Sequence, residues 1–197
     1  MTARRTSPWA SLGLAALLAL TACAGGDDDE ATDSTSPGGV VTTVADGAAG
    51  GSTALAVPDP CALVTVEEVS AAFGSPIDPP EGSDLAPPIG GRTCLFINSD
   101  APPIKTLQIV TRTDASIADN LRANGQTVEK LFQDTKNLTE GTEDVGGLGD
   151  QAYKTARAYH VLDGGVYLET NLGLNANPSA EAVAALQTLT EKAVARL

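Results

Sequence analysis

The stretch YKTARAYHVLDGGVYLETNL, residues 153 to 172, constrains the fold more than any other part of the chain. Asp163-Gly164 sits between two runs rich in β-branched and aromatic residues. That dipeptide favours a two-residue hairpin turn, because both central residues must take positive φ. With Leu162 facing Gly165, Val161 opposes Val166, Tyr159 opposes Leu168 and Arg157 opposes Thr170 on one face. The other face sets His160 against Tyr167, Ala158 against Glu169 and Ala156 against Asn171. The first face is the more apolar and is expected to pack on helices, leaving the other turned outward to solvent. His160, Tyr167 and Glu169 then converge on an open surface, kept shallow by Ala156 and Ala158, on which a partner could lie flat. Arg157 falls on the inner face, where it must either lie at the rim and snorkel or find a buried acid.

Other elements surround this hairpin. Thr65 followed by Glu68 forms a capping box, Val66, Val69 and Phe73 recur at helical spacing, and Gly74 stops the helix. A Pro- and Gly-rich stretch leads to apolar runs at 92–98 and 105–112, which read as a second hairpin. Ile117, Leu121, Val128, Leu131 and Phe132 mark a helix over 115–134, weakened in the middle by Gly125. The cluster Gly146-Gly147-Leu148-Gly149-Asp150 precedes a strand rather than opening a helix. It therefore reads as a tight turn feeding a strand over 152–162, not as a phosphate loop, with Asp150 accepting from N–H groups of the turn. Asn177-Pro178 starts a last helix whose stripe is Val183, Leu186, Leu189, Ala193, Val194 and Leu197. The order α-ββ-α-ββ-α places the fold in the α+β class, an antiparallel sheet with helices on one face. Its two similar halves hint at an internal duplication.

Upstream of residue 58 the chain changes character. Arg4-Arg5 precedes an apolar run from Trp9 to Leu20, and the run ends in Leu20-Thr21-Ala22-Cys23. A helix needs roughly 20 apolar residues to cross a bilayer, so this shorter run reads as an export signal spanning 1–22. The residues after the Arg pair lack the hydrophobic character of a twin-arginine signal, which favours general secretion. The last four residues resemble the lipobox of bacterial lipoproteins, L-[AST]-[AG]-C. That resemblance implies diacylglycerol on Cys23, cleavage before it and anchoring on the outer side of the cell membrane. Two acyl chains give the stable attachment that one does not. The alternative is an ordinary cleaved signal with an incidental Cys.

Residues 24–57 contain no Lys, Arg or aromatic residue and cannot offset their ordering entropy, so 23–57 reads as a lipidated Cys with a disordered tether. Its reach as a random coil is roughly 30 Å. The acids at 27–30 lack the spacing of a calcium loop and read as solvated spacer. Residues 58–197 then form a single domain. In an oxidising compartment its cysteines, Cys61 and Cys94, read as a disulfide, with a catalytic thiol as the alternative.

From Cys23 onward 10 basic residues face 25 acidic ones, a balance of −15. That charge excludes nucleic acid as a partner, because such affinity rests on Lys and Arg neutralising phosphate. His160 is the only histidine, and the chain has neither a strand-elbow G-x-S-x-G nor enough His and Cys for a zinc site, so no cofactor and no catalytic set are expected.

Asp59-Pro60-Cys61-Ala62-Leu63-Val64-Thr65, the later Cys94 and Gly147-Leu148-Gly149-Asp150-Gln151-Ala152 resemble a family of actinobacterial envelope lipoproteins of unknown function. The resemblance covers 58–197 and implies an exported, lipid-anchored, cystine-stapled α+β domain. It supplies no catalytic residues. The function expected is a lipid-anchored domain presenting a binding surface to an envelope protein or small ligand. The alternatives are an envelope hydrolase and an accessory or sensor partner of a signalling receptor.

Overall fold

The computed structural model describes residues 55–99, 103–173 and 178–197. The signal segment, Cys23 and Asn177 lie outside the described residues. Helix α1, Val66–Phe73, begins at Thr65, whose side chain accepts from Glu68 N at 3.2 Å while Glu68 Oε2 accepts from Thr65 N at 2.9 Å. Gly74 ends it at φ +63°. The same Glu68 carboxylate reaches the far end of the domain. Arg196 grips both its oxygens at 2.7 Å and Lys192 joins at 2.8 Å, tying α1 to the last helix, α4 (Ala180–Val194). Charge-assisted pairs of this bidentate kind are the strong ones.

The strands are β1 (Glu81–Leu85), β2 (Gly91–Ile97), β3 (Thr106–Arg112), β4 (Glu143–Asp144), β5 (Gln151–Lys154), β6 (Ala158–Asp163) and β7 (Val166–Asn171). They form one antiparallel sheet in the order β1-β2-β3-β7-β6-β5-β4. The α+β class and the antiparallel sheet agree with the pattern of the sequence, but each half carries more strands than that pattern gave. β1 is mostly exposed and has no apolar alternation; it forms by pairing with β2 beside the Cys61–Cys94 disulfide, whose Cα atoms are 5.2 Å apart. At Gly82 a Cβ would stand 3.2 Å from Cys61 Sγ, so glycine lets β1 lie against the bridge.

The expected strand over 152–162 is two strands, β5 and β6, joined by a turn in which Thr155 N donates to Ala158 O at 2.9 Å. Arg157 therefore lies in that turn, exposed, rather than on the inner face. The expected helix over 115–134 divides into α2 (Asp119–Ala123) and α3 (Val128–Leu138), with Gly125 between them at φ +81° and Thr127 capping α3.

Residue alternation along the strands builds two cores. On the first face Cys94, Phe96, Leu107, Ile109, Tyr159, Val161 and Leu168 pack against Val69 and Phe73 of α1 and Leu186, Leu189 and Ala193 of α4. Thr170 is buried here too, but its hydroxyl meets that of Thr190 at 2.6 Å, so the polar pair is satisfied. On the second face Tyr153, Leu162 and Tyr167 pack against Val128 and Phe132 of α3. Helices thus cover both faces, not one. The reason is that the second face carries three large, largely apolar side chains, which the Val128-Leu131-Phe132 stripe of α3 covers. With α1 and α3 on opposite faces, the placement of the helices does not confirm the duplication at which the element order hints.

Candidate functional site

The β6–β7 turn is centred on Gly164 and Gly165, at φ +53° and +84°, one residue later than expected. The pairing is Asp163 with Val166, Leu162 with Tyr167, His160 with Glu169 and Ala158 with Asn171. The register shifts by two, so every residue keeps its face while changing its partner. Asp150 caps this turn, its Oδ2 accepting from Gly164 N at 3.0 Å.

Strand pairing arranges the second face in rows. One row is Gly91, Arg112, Tyr167, Leu162 and Gln151; the next is Thr93, Val110, Glu169, His160 and Tyr153; the third is Leu95, Gln108, Asn171 and Ala158. Helix α3 covers the large side chains of the first two rows. His160 is consequently buried, 7% exposed, and Tyr167 is 2% exposed, so neither looks outward. His160 Nδ1 lies 2.8 Å from the Tyr167 hydroxyl, and its ring stacks on Tyr153 at 4.5 Å between centroids. Burial pushes the His160 pKa below its ordinary value; Glu169 opposes that shift and Arg112 adds to it. Burial also raises both Tyr153 and Tyr167 above the usual phenol range. Tyr153 Oη and Arg112 Nε are buried with no hydrogen-bond partner among the described residues. His160, Tyr153 and Tyr167 thus form a buried, closely packed cluster with the Arg112 guanidinium over the Tyr167 ring.

Glu169 is different, because it sits where the cover ends. Arg112 approaches its Oε2 at 3.6 Å, and Asn171 Nδ2 donates to its Oε1 at 3.1 Å. The ladder continues through Asn171 Nδ2 to Gln108 Oε1 at 3.2 Å and Gln108 Nε2 to Thr93 Oγ1 at 3.1 Å. Glu169, Asn171 and Gln108 of this ladder line an open trough of about 630 Å³, together with Leu95, Ile104, Ala158 and Arg157. Of the three residues that sequence reading placed together, then, Glu169 faces the trough while His160 and Tyr167 brace the layer beside it. Gln108, Asn171 and Arg112 were missed, although the alternation Leu107-Gln108-Ile109 already set Gln108 opposite the apolar face.

A second groove, of about 570 Å³, lies on the first face between the C-terminal end of α1 and the N-terminal end of α4. There Lys105 Nζ donates to Phe73 O, satisfying a terminal carbonyl of α1. Among the described residues no group of three His, Cys, Asp or Glu could hold a metal ion, and no helix is long and apolar enough to cross a membrane. Comparison with family models, with curated proteins and with solved structures returned no match.

Proposed function

We propose that the chain is an actinobacterial envelope lipoprotein, held on the outer side of the cell membrane through acylated Cys23, whose α+β domain presents a ligand-binding trough. The anchor rests on the Leu20-Thr21-Ala22-Cys23 ending of an apolar run too short to span a bilayer. One geometric observation supports the presentation of a ligand site. The chain enters the domain beside the end of β3, where Thr113 Oγ1 donates to Leu55 O at 2.8 Å and Thr111 Oγ1 to Pro58 O at 2.7 Å. Both grooves instead border Thr106, where β3 begins. Five strand steps separate the two ends, roughly 17 Å. The described chain thus begins beside one end of β3, and both grooves border the other.

The hydrolase alternative needs two carboxylates facing one cleft, and among the described residues the trough lining contains one, Glu169. A sensor or accessory role uses the same trough and differs only in the consequence of binding. The test is fractionation of cells expressing the chain and its Cys23→Ala variant. The unaltered chain is expected in the membrane fraction and the variant in the soluble exported fraction; a cytosolic chain, or one indifferent to the substitution, would defeat the reading.

A further inference from the structure

We propose that His160 operates a proton switch on the trough: a protonated imidazole draws the Glu169 carboxylate away from Arg112 and Asn171, freeing the Asn171 amide in the trough lining. The switch acts on the trough of the proposed function, but its test needs no ligand. Strand pairing makes the coupling possible. His160 on β6 and Glu169 on β7 are cross-strand partners on the second face, and the Cβ atoms of such partners stand about 4.5–5.5 Å apart. His160 is buried, whereas Glu169 lines the trough. One carboxylate therefore borders both the buried ring and the open surface. Its contacts leave it able to exchange. Arg112 stands at 3.6 Å, longer than a hydrogen bond, and the Glu169 side chain is 25% exposed. When the carboxylate turns to His160, Arg112 keeps its place over the Tyr167 ring, 5.6 Å from the centroid.

The buried side accommodates the proton. His160 Nδ1 and the Tyr167 hydroxyl are 2.8 Å apart. A neutral imidazole can accept from that hydroxyl, whereas the imidazolium can only donate to it. Protonation therefore turns the Tyr167 hydroxyl hydrogen away from the ring. Tyr153 Oη is buried with no hydrogen-bond partner among the described residues, and the two phenols perturb each other's ionisation, so it supplies the new acceptor. The positive charge then needs a carboxylate. The ionisable groups around His160 are Tyr153 from β5, Tyr167 and Glu169 from β7, and Arg112 from β3; Glu169 favours the imidazolium and Arg112 opposes it. From α3, Phe132 packs on the two phenols, while Glu129, Lys130 and Asp134 are exposed and Lys136 pairs with Asp144 of β4. Glu169 is thus the carboxylate that answers protonation. Its departure leaves Asn171 with one amide hydrogen on Gln108 Oε1 and releases the other, which Glu169 Oε1 accepts at neutral pH. The trough then shows a carboxylate at neutral pH and an amide donor in acid.

The experiment follows the mature protein in detergent micelles by NMR between about pH 4 and 8. It reads the His160 imidazole C–H, the Glu169 carboxyl carbon and the Asn171 side-chain amide. All three are expected to move with one shared midpoint while the backbone spectrum stays that of the folded chain. Glu169→Gln should lower the His160 midpoint and Arg112→Gln should raise it, each by about half a pH unit or more. His160→Gln should abolish the Asn171 response at that midpoint, which separates the switch from protonation of Glu169 itself. Should Arg112→Gln fail to fold, the other two variants decide. An imidazole that titrates with the Asn171 amide unmoved would overturn the proposal. So would an Asn171 response that survives in His160→Gln, a His160 midpoint indifferent to Glu169→Gln, or unfolding before the imidazole is protonated. Membrane retention through Cys23 is scored separately and is untouched by any of these results.

Discussion

Phe132→Ala tests how the second face is closed. Phe132 is 1% exposed, its ring centroid lying 5.1 Å from that of Tyr153 and 5.6 Å from that of Tyr167 in an edge-to-face contact. Truncating a buried Phe costs about 3–5 kcal/mol, and aromatic pairs contribute about 0.5–1.5 kcal/mol each within that. A loss of about 4 kcal/mol is therefore expected in urea unfolding at pH 7. Because domains have about 5–15 kcal/mol in all, the variant should stay folded with α3 loosened. His160 reports on that loosening directly, since it is the only histidine and its imidazole C–H resonance is unambiguous. Burial lowers its pKa in the folded protein, so the neutral form is favoured there. The associated stability is complete above the unfolded value of about 6.5 and declines as pH falls through that value toward the folded one. In Phe132→Ala, admission of water should raise the His160 pKa back toward 6.5 and flatten this acid sensitivity. A cost below about 1 kcal/mol together with an unmoved His160 titration would refute the claim that α3 seals this face.

Three further outcomes concern other parts of the fold. Replacing both Cys61 and Cys94 by Ser opens a bridge between residues 33 apart, and the chain-entropy relation predicts a loss of about 4 kcal/mol in urea unfolding. Glu68→Gln removes the Arg196 and Lys192 pairs and weakens the capping box, for about 1–3 kcal/mol at pH 7. Arg196, then Lys192 and the Thr65 N–H, hold the Glu68 pKa well below the carboxylate range. Its contribution is therefore full above about 4.3, and the gap between wild type and variant should close as pH falls below that value. Gly149→Ala places a Cβ 2.6 Å from Val161 Cγ1 and 2.9 Å from Leu162 O at φ +60°, and should cost about 2 kcal/mol or more. Gly147→Ala meets nothing within 4 Å and should cost only the left-handed backbone penalty, about 1 kcal/mol. Thermal melts of the two glycine variants side by side check the difference.

Where one local rule governed, the sequence was legible. The Thr65–Glu68 box, the Gly74 stop and the two faces of the 158–171 hairpin come from caps and alternation. The hairpin register did not, because Asp163-Gly164 and Gly164-Gly165 both satisfy a turn with two positive φ values, and cross-strand packing selects the latter. β1 was hidden because EGSDL has no pattern of its own and is held by β2 and the disulfide. The cover over His160 and Tyr167 was missed for a further reason. Tyr, His and Glu on one face look wet in a composition count, yet Tyr153 and Tyr167 bring large apolar rings whose hydroxyls lie beneath α3. What remains open is the third row with Glu169 beside it, where aliphatic and amide side chains make up much of the lining.

The first residue of the mature protein decides whether the chain is anchored as proposed. Intact-mass and N-terminal peptide analysis of protein taken from the membrane is expected to find Cys23 at the amino terminus, carrying diacylglycerol in thioether linkage. A mature chain beginning elsewhere, or Cys23 bearing an unmodified thiol, would contradict it.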